Sequence, residues 1–328
     1  QNHPMETAEL TRTSGLNAEG FASLQLRRSG ETTWQADFRR RAWDLYGKFP
    51  MPTRKDEEWR RTDLRAIRFD EIAPYAHSGL AGRVSASGAS SADVSDIGRI
   101  SASGASSADV SDIVPQSSGM VIQHNSEDVH AALDPQLEKQ GVILCGIDQA
   151  ARAHPDLLRQ YYGTIRPATD GKFVALHYAF QSGGTFLYVP AGVHVDVPIR
   201  SIVFSDAPGS GLFPHTLIIL DRGASLNYFE ERASERPIDR QNLVSSVTEV
   251  HMADGAAIGL TSLQQFDTNT FNFSSEKTVG CRDARIAWLS AELGGKLNKA
   301  AIDCDLTGSG GRCELLGLFY INGRQQCD

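Results

Sequence analysis

Apolar residues recur at every second position through much of the second half of the chain. Val193, Val195 and Val197 alternate with His194 and Asp196, and residues 225–230 alternate in the same way. A period of two puts successive side chains on opposite faces, as in a β-strand. Two continuous apolar runs, 185–189 and 216–220, are rich in β-branched and aromatic residues and are bounded by Gly or Pro. Both read as strands. Pro190 and Pro198 fall at strand ends, where a missing N–H costs least.

After the second run, Asp221-Arg222-Gly223-Ala224 forms a tight turn into the next alternating segment. This unit of strand, turn and strand returns three times. Residues 247–252 turn at Asp254-Gly255-Ala256 into 258–266. Residues 277–280 turn at Arg282-Asp283-Ala284 into 285–289, and 301–306 turn at 308–311 into 313–321. Gly223 to Gly255 is 32 positions, Gly255 to Asp283 is 28, and Asp283 to Gly310 is 27. Such spacings predict a stacked solenoid, in which each repeat buries its apolar face against its neighbours. A sandwich of antiparallel hairpins also places strands at short intervals. The long, loosely regular period favours the coils of a β-helix.

The first half is read differently. Residues 1–30 are polar and weakly patterned, which predicts a frayed terminus. Trp34, Phe38, Leu45, Tyr46 and Phe49 follow helical spacing and end before Pro50 and Pro52, with Arg39, Arg40 and Arg41 expected on a solvated face. Trp59 is the expected anchor of the charged segment 52–64. Residues 119–123 suggest a strand. Ser126 is placed to cap a helix over 127–140 with Gly141 beyond its end. Residues 142–145 form another apolar run, and 148–162 a helix interrupted at His154-Pro155. Residues 173–180 are expected to open the β region.

Residues 82–97 and 98–113 are a tandem repeat of sixteen residues that differs only at Val84 and Ile100. Rich in Ser, Ala and Gly and without aromatics, it buries little apolar area and reads either as a duplicated, spacer-like surface insertion or as a small pair of β turns projecting from the core. The expected organisation is therefore a flexible terminus (1–30), a helical region (31–81), the duplicated insert (82–118), an α/β lead-in (119–170) and a mainly β, solenoid core (171–328).

A formal charge of 32 − 40 = −8 gives the chain no general attraction to nucleic acid or anionic lipid. No apolar run approaches the roughly 18 residues of a membrane span. Five scattered cysteines, Cys145, Cys281, Cys304, Cys313 and Cys327, read as free thiols in a reducing, cytoplasmic setting.

Motifs for catalysis are missing: there is no G-x-S-x-G elbow, P-loop or H-E-x-x-H helix. Glu230 and Glu231 are adjacent on a strand, so they point to opposite faces and cannot form an acid–base couple. His194 follows Pro190 and Gly192 at a spacing one residue short of a cupin metal motif, and His177 and His215 carry no paired ligand spacing. Cys304 and Cys313 face each other across the turn at 308–311, with Cys281 one repeat earlier. They are the metal candidates, set against the strong tendency of cysteine to pack as a small apolar residue.

Two segments carry a family resemblance. Leu187-Tyr188-Val189-Pro190-Ala191-Gly192-Val193-His194-Val195-Asp196-Val197-Pro198-Ile199 resembles the core signature of the SufB/SufD family of iron–sulfur cluster assembly proteins. Pro52-Thr53-Arg54-Lys55-Asp56-Glu57-Glu58-Trp59, with Thr62 and Leu64, is similar to a segment after the N-terminal helices of the SufD branch. Later strings, Leu293-Gly294-Gly295-Lys296-Leu297 and Leu316-Gly317-Leu318-Phe319-Tyr320, are similar to family positions in later coils.

The resemblance implies a right-handed parallel β-helix. It also implies a non-catalytic scaffold that pairs with a SufB-like subunit and a SufC-like ABC ATPase. No cofactor would be held by this chain alone, with iron or a cluster handled transiently at a shared interface; self-association into a homodimer is a further possibility. In the family, further coils and a C-terminal helical domain follow the point corresponding to Asp328, so the sequence is expected to be part of a longer protein. The competing expectation from fold alone is a polysaccharide-active β-helix enzyme or a carbohydrate-binding protein, a reading that needs acidic residues clustered on one face of neighbouring coils.

Overall fold

The computed structural model describes residues 15–78 and 117–328. The tandem repeat at 82–113 and residues 1–14 lie outside the described residues. The strands are β1 Gly119–His124, β2 Glu127–Leu133, β3 Ile143–Gly146, β4 Gly184–Val189, β5 His194–Ser205, β6 Gly211–Leu212, β7 His215–Leu220, β8 Ser225–Ser234, β9 Asn242–Met252, β10 Ala257–Gln265, β11 Thr270–Gly280, β12 Arg285–Glu292, β13 Leu297–Leu306, β14 Arg312–Phe319 and β15 Gln326–Cys327. One sheet has the order β14-β12-β10-β8-β5-β1-β2, and the other β15-β13-β11-β9-β7-β4-β3. From β7 onward, successive strands alternate between the sheets, and neighbours within each sheet are parallel. Antiparallel hairpins would pair consecutive strands instead. The chain therefore winds into a β-solenoid of about five turns.

The corners are the turns seen in the sequence. Gly223, Gly255 and Gly310 have φ of 68°, 71° and 74°, and Asp283 takes the same left-handed conformation at 59°. The N–H of Gly223 donates to Asp254 O, that of Gly255 to Arg282 O, and that of Asp283 to Ser309 O, so each corner is bonded to the next. The following alanines, Ala224, Ala256 and Ala284, are fully buried under this seam.

Inside the solenoid the cross-section is divided. Beside the corners the rows are apolar: Leu226, Ile258 and Ile286 from one sheet face Ile218 and Val250 from the other. Farther from the corners the inward rows turn polar. Thr185, Thr216, Thr248 and Glu276 are stacked in one sheet. Glu230, Ser262 and Ser290, then Arg232, Gln264 and Glu292, are stacked in the other.

A helical layer covers the outer face of the β9–β11–β13 sheet. It contains α1 Ala18–Arg27, α2 Thr33–Lys48, α4 Ile147–Ala153, α5 Pro155–Tyr161 and α6 Lys172–Phe180; a short helix, α3 Pro135–Lys139, lies between β2 and β3. Leu243, Val247, Phe271, Phe273 and Leu297 project outward from the strands into this layer. Thr32 and Gln35 form a reciprocal capping box at the start of α2. Trp59 anchors its segment as expected. Its ring stacks on Phe173 at 5.0 Å, and Phe173 stacks on Phe273 at 4.0 Å.

Four readings of the first half are corrected. Residues 18–27 form a helix whose Leu24 is fully buried, so the expected frayed terminus does not extend to residue 30. Residues 173–180 belong to α6. They are buried on every side between α2 and the sheet, which removes the periodicity that would have marked a helix. Residues 127–133 are a strand, because Asn125 at φ 52° turns the chain into an antiparallel β1–β2 hairpin. Ser126 Oγ accepts from Ala76 N, and the short α3 is capped by Asp134. Finally, Arg39 is buried rather than solvated: it donates to the carbonyls of Ala179 and Gln181 and pairs with Glu31 at 2.6 Å.

Candidate functional site

The polar half of the solenoid interior concentrates the buried charge. Arg232, fully buried, projects inward from β8. Its Nη2 donates to Glu276 Oε1 at 2.9 Å and its Nη1 to Ser246 Oγ at 2.7 Å; its Nε lies 3.4 Å from Glu230 Oε1, and Nη2 lies 4.0 Å from Glu292 Oε1. One cation thus faces three carboxylates from three different strands. Burial opposes the charge on Arg232, but Glu276, Glu230 and Glu292 outweigh it and hold the guanidinium above its ordinary value. Burial pushes the Glu276 carboxyl up to about 7, with Arg232 opposing. It raises Glu292 in the same way. Ser262 Oγ, Ser274 Oγ, Thr278 Oγ1 and Glu276 Oε2 add buried polar atoms without a hydrogen-bond partner among the described residues.

A second buried array joins the helical layer to the sheet. The Ser245 carbonyl can only accept, so His177 Nδ1, 2.7 Å away, carries the proton. His177 Nε2 then accepts from His215 Nδ1 at 3.1 Å. On its other side His215 Nε2 lies 3.3 Å from Glu249 Oε2, off the hydrogen-bond direction. Glu249 is fully buried and accepts the backbone N–H groups of Gly163, Ile165 and Arg166. Burial opposes its ionisation, yet His215 and these N–H groups hold the carboxyl below its ordinary value. Burial and the neighbouring His215 push His177 well below the usual imidazole range. The array clamps the loop after α5 and helix α6 onto β7 and β9.

The residues singled out in the sequence are scattered. His194 is an exposed strand residue whose Nδ1 meets Ser225 Oγ at 2.8 Å. Glu230 points inward and Glu231 toward Arg200 at 3.8 Å on the outer side, as strand alternation requires. Cys304 and Cys313 do come together inside the corner, whereas Cys281 lies in the corner itself, 4.0 Å from Thr307 Oγ1. Among the described residues, no group of three or more His, Cys, Asp or Glu side chains is placed to hold a metal ion. His177 and His215, unpaired in the sequence, are brought into contact through β7 and α6. Sequence reading missed Arg232, Glu249, Glu276 and Glu292. Their signal was present as charged residues on the inward parity of apolar strands, or on a face later covered by helices.

Two family models match in succession. Residues 107–201 match the SufBD protein N-terminal region, and 203–328 match the SufBD core domain of the SUF system for FeS cluster assembly. The chain belongs to the SufBD family. Curated proteins named as iron–sulfur cluster assembly SufBD family proteins align over 304 residues, at 30% identity in Staphylococcus epidermidis, 29% in Staphylococcus haemolyticus and 28% in Staphylococcus aureus. Each alignment covers 91% of this chain and 61% of the relative, so the chain spans less than two thirds of their length. The SufBD core match coincides with the stacked coils and includes Arg232, Glu249, Glu276 and Glu292. Among the described residues, no helix is long and apolar enough to cross a membrane.

Proposed function

We propose that this chain is a scaffold subunit of a SufBCD-type complex in iron–sulfur cluster assembly, on the SufD side of the family. It works beside a SufB-like subunit and a SufC-like ABC ATPase in the cytoplasm. The reading rests on one observation: the stacked coils of residues 203–328 are the segment that matches the SufBD core. A solenoid suits this role, because each coil is held by its neighbours and presents long surfaces at fixed spacing. Iron or a cluster is cargo met at a shared interface, and the chain itself performs no bond-making step. The polysaccharide reading has little support, since Glu230, Glu276 and Glu292 are buried inside the coils rather than lining an outer cleft.

The test is affinity capture of the full-length protein from its own cells, with co-purifying chains identified by mass spectrometry. Recovery of an ABC-type ATPase and a second SufBD protein is expected. Recovery of the protein alone, under conditions that preserve weak complexes, would overturn the proposal.

A further inference from the structure

Cys304 and Cys313 occupy facing places in one coil. Cys304 continues the inward row Ile218, Val250 and Thr278 of one sheet. Cys313 continues the inward row Leu226, Ile258 and Ile286 of the other. Thr278 apart, earlier coils fill these places with side chains of the apolar interior, and both cysteines pack against that same cluster. Here the two side chains face each other from the two sheets, and both thiols are free. The strands that carry them are held on either side of the corner by Thr307 N to Gly280 O and Arg312 N to Ala284 O. The other cysteines have no such placement: Cys145 is buried under the helical layer, Cys281 lies in a corner, and Cys327 is in β15.

We propose that Cys304 and Cys313 are a redox-active dithiol that closes to a disulfide across the solenoid interior. The co-reactant is a low-molecular-weight disulfide of the glutathione class. Attack of one thiolate on it forms a mixed disulfide and releases one small thiol. The second protein thiolate then attacks the protein's own sulfur in that mixed disulfide, which forms the Cys304–Cys313 bond, breaks the bond to the small molecule and releases the second small thiol. The protein loses two protons and two electrons, and the small disulfide is reduced to two thiols. Closure staples one sheet to the other and fixes the coil formed by β13 and β14. Burial pushes the Cys304 thiol up to about 12, which keeps it protonated at rest and makes closure slow.

The test uses the full-length native protein, incubated with oxidised glutathione, quenched in acid and mapped by mass spectrometry under non-reducing conditions. A linked peptide joining Cys304 to Cys313 is expected in most molecules. It should be reversed by a reducing dithiol and accompanied by a rise of several degrees in the thermal midpoint. Cys304→Ala should lose the link and leave a glutathione adduct on Cys313; Cys313→Ala is the reciprocal variant if the first does not fold. In the parent protein, separate adducts on both cysteines without a link, or two unmodified thiols, would overturn the proposal.

Discussion

Arg232 donates to Glu276 across the interior of the solenoid at 2.9 Å, where neither side chain reaches solvent. The pair joins the two sheets, and Glu230 and Glu292 surround it. Removing this cation leaves buried carboxylates without compensation, a change that typically costs about 3–5 kcal/mol. Arg232→Met is therefore expected to lower the urea midpoint sharply. A midpoint unchanged at neutral pH would show that the cluster does not hold the sheets together.

Glu276 also makes stability depend on pH. The unfolded chain releases its proton near the ordinary value of 4.5, and the folded protein keeps it until about 7. Across that window the folded state binds more protons, so this group's contribution to stability falls as pH rises and levels off above about 7. Glu276→Gln should gain on the parent between pH 5 and 8 by up to roughly 3 kcal/mol. Denaturation of both proteins at several pH values gives the difference directly. A difference independent of pH would refute the assignment.

Gly184 begins β4 and packs directly against the backbone of β7. A Cβ there would sit 2.0 Å from the His215 carbonyl oxygen, at a φ of 125°. Both atoms belong to backbone, so rotamer changes give no relief. Gly184→Ala should cost more than about 3 kcal/mol and sharply reduce the yield of folded protein. Gly192→Ala also has a positive φ, 71°, but meets nothing within 4 Å, and should cost about 1–2 kcal/mol. Equal losses in the two variants would rule out the clash.

Trp59 ties a charged loop to the helical layer through Phe173, and Lys299 lies 5.0 Å over its ring. Trp59→Ala should cost about 2 kcal/mol and expose the 52–64 segment to limited proteolysis ahead of the coils. Cleavage elsewhere first would count against the anchor.

The corners were the most legible part of the chain. Asp221–Ala224 and its counterparts advertise a left-handed residue followed by a small buried one, and those positions repeat. Strand pairing was less legible, because β8 pairs with β10 and not β9, and alternation within a strand does not name its neighbour. Helix α6 was hidden because burial on all sides removes the polar stripe that reveals a helix. Arg39 was misplaced for the converse reason: a charge in an Arg triplet gives no sign that Ala179 and Gln181 offer it buried carbonyls. The Arg232 cluster and the His177–His215–Glu249 array required knowing which residues share a coil or a face, and that is a property of the stacked fold.

The bonded seam of corners also limits where the repeats can change length. Residues 221–224, 253–256 and 281–284 each take four residues to turn from one sheet to the other, and 307–311 take five. On the opposite flank, the return is seven residues at 235–241 and four at both 266–269 and 293–296. The corner thus acts as a ruler for coil spacing and the return flank as its margin. Changes in length are therefore expected first at 235–241, whereas 253–256 is tied on both sides, Asp254 O accepting from Gly223 N and Gly255 N donating to Arg282 O.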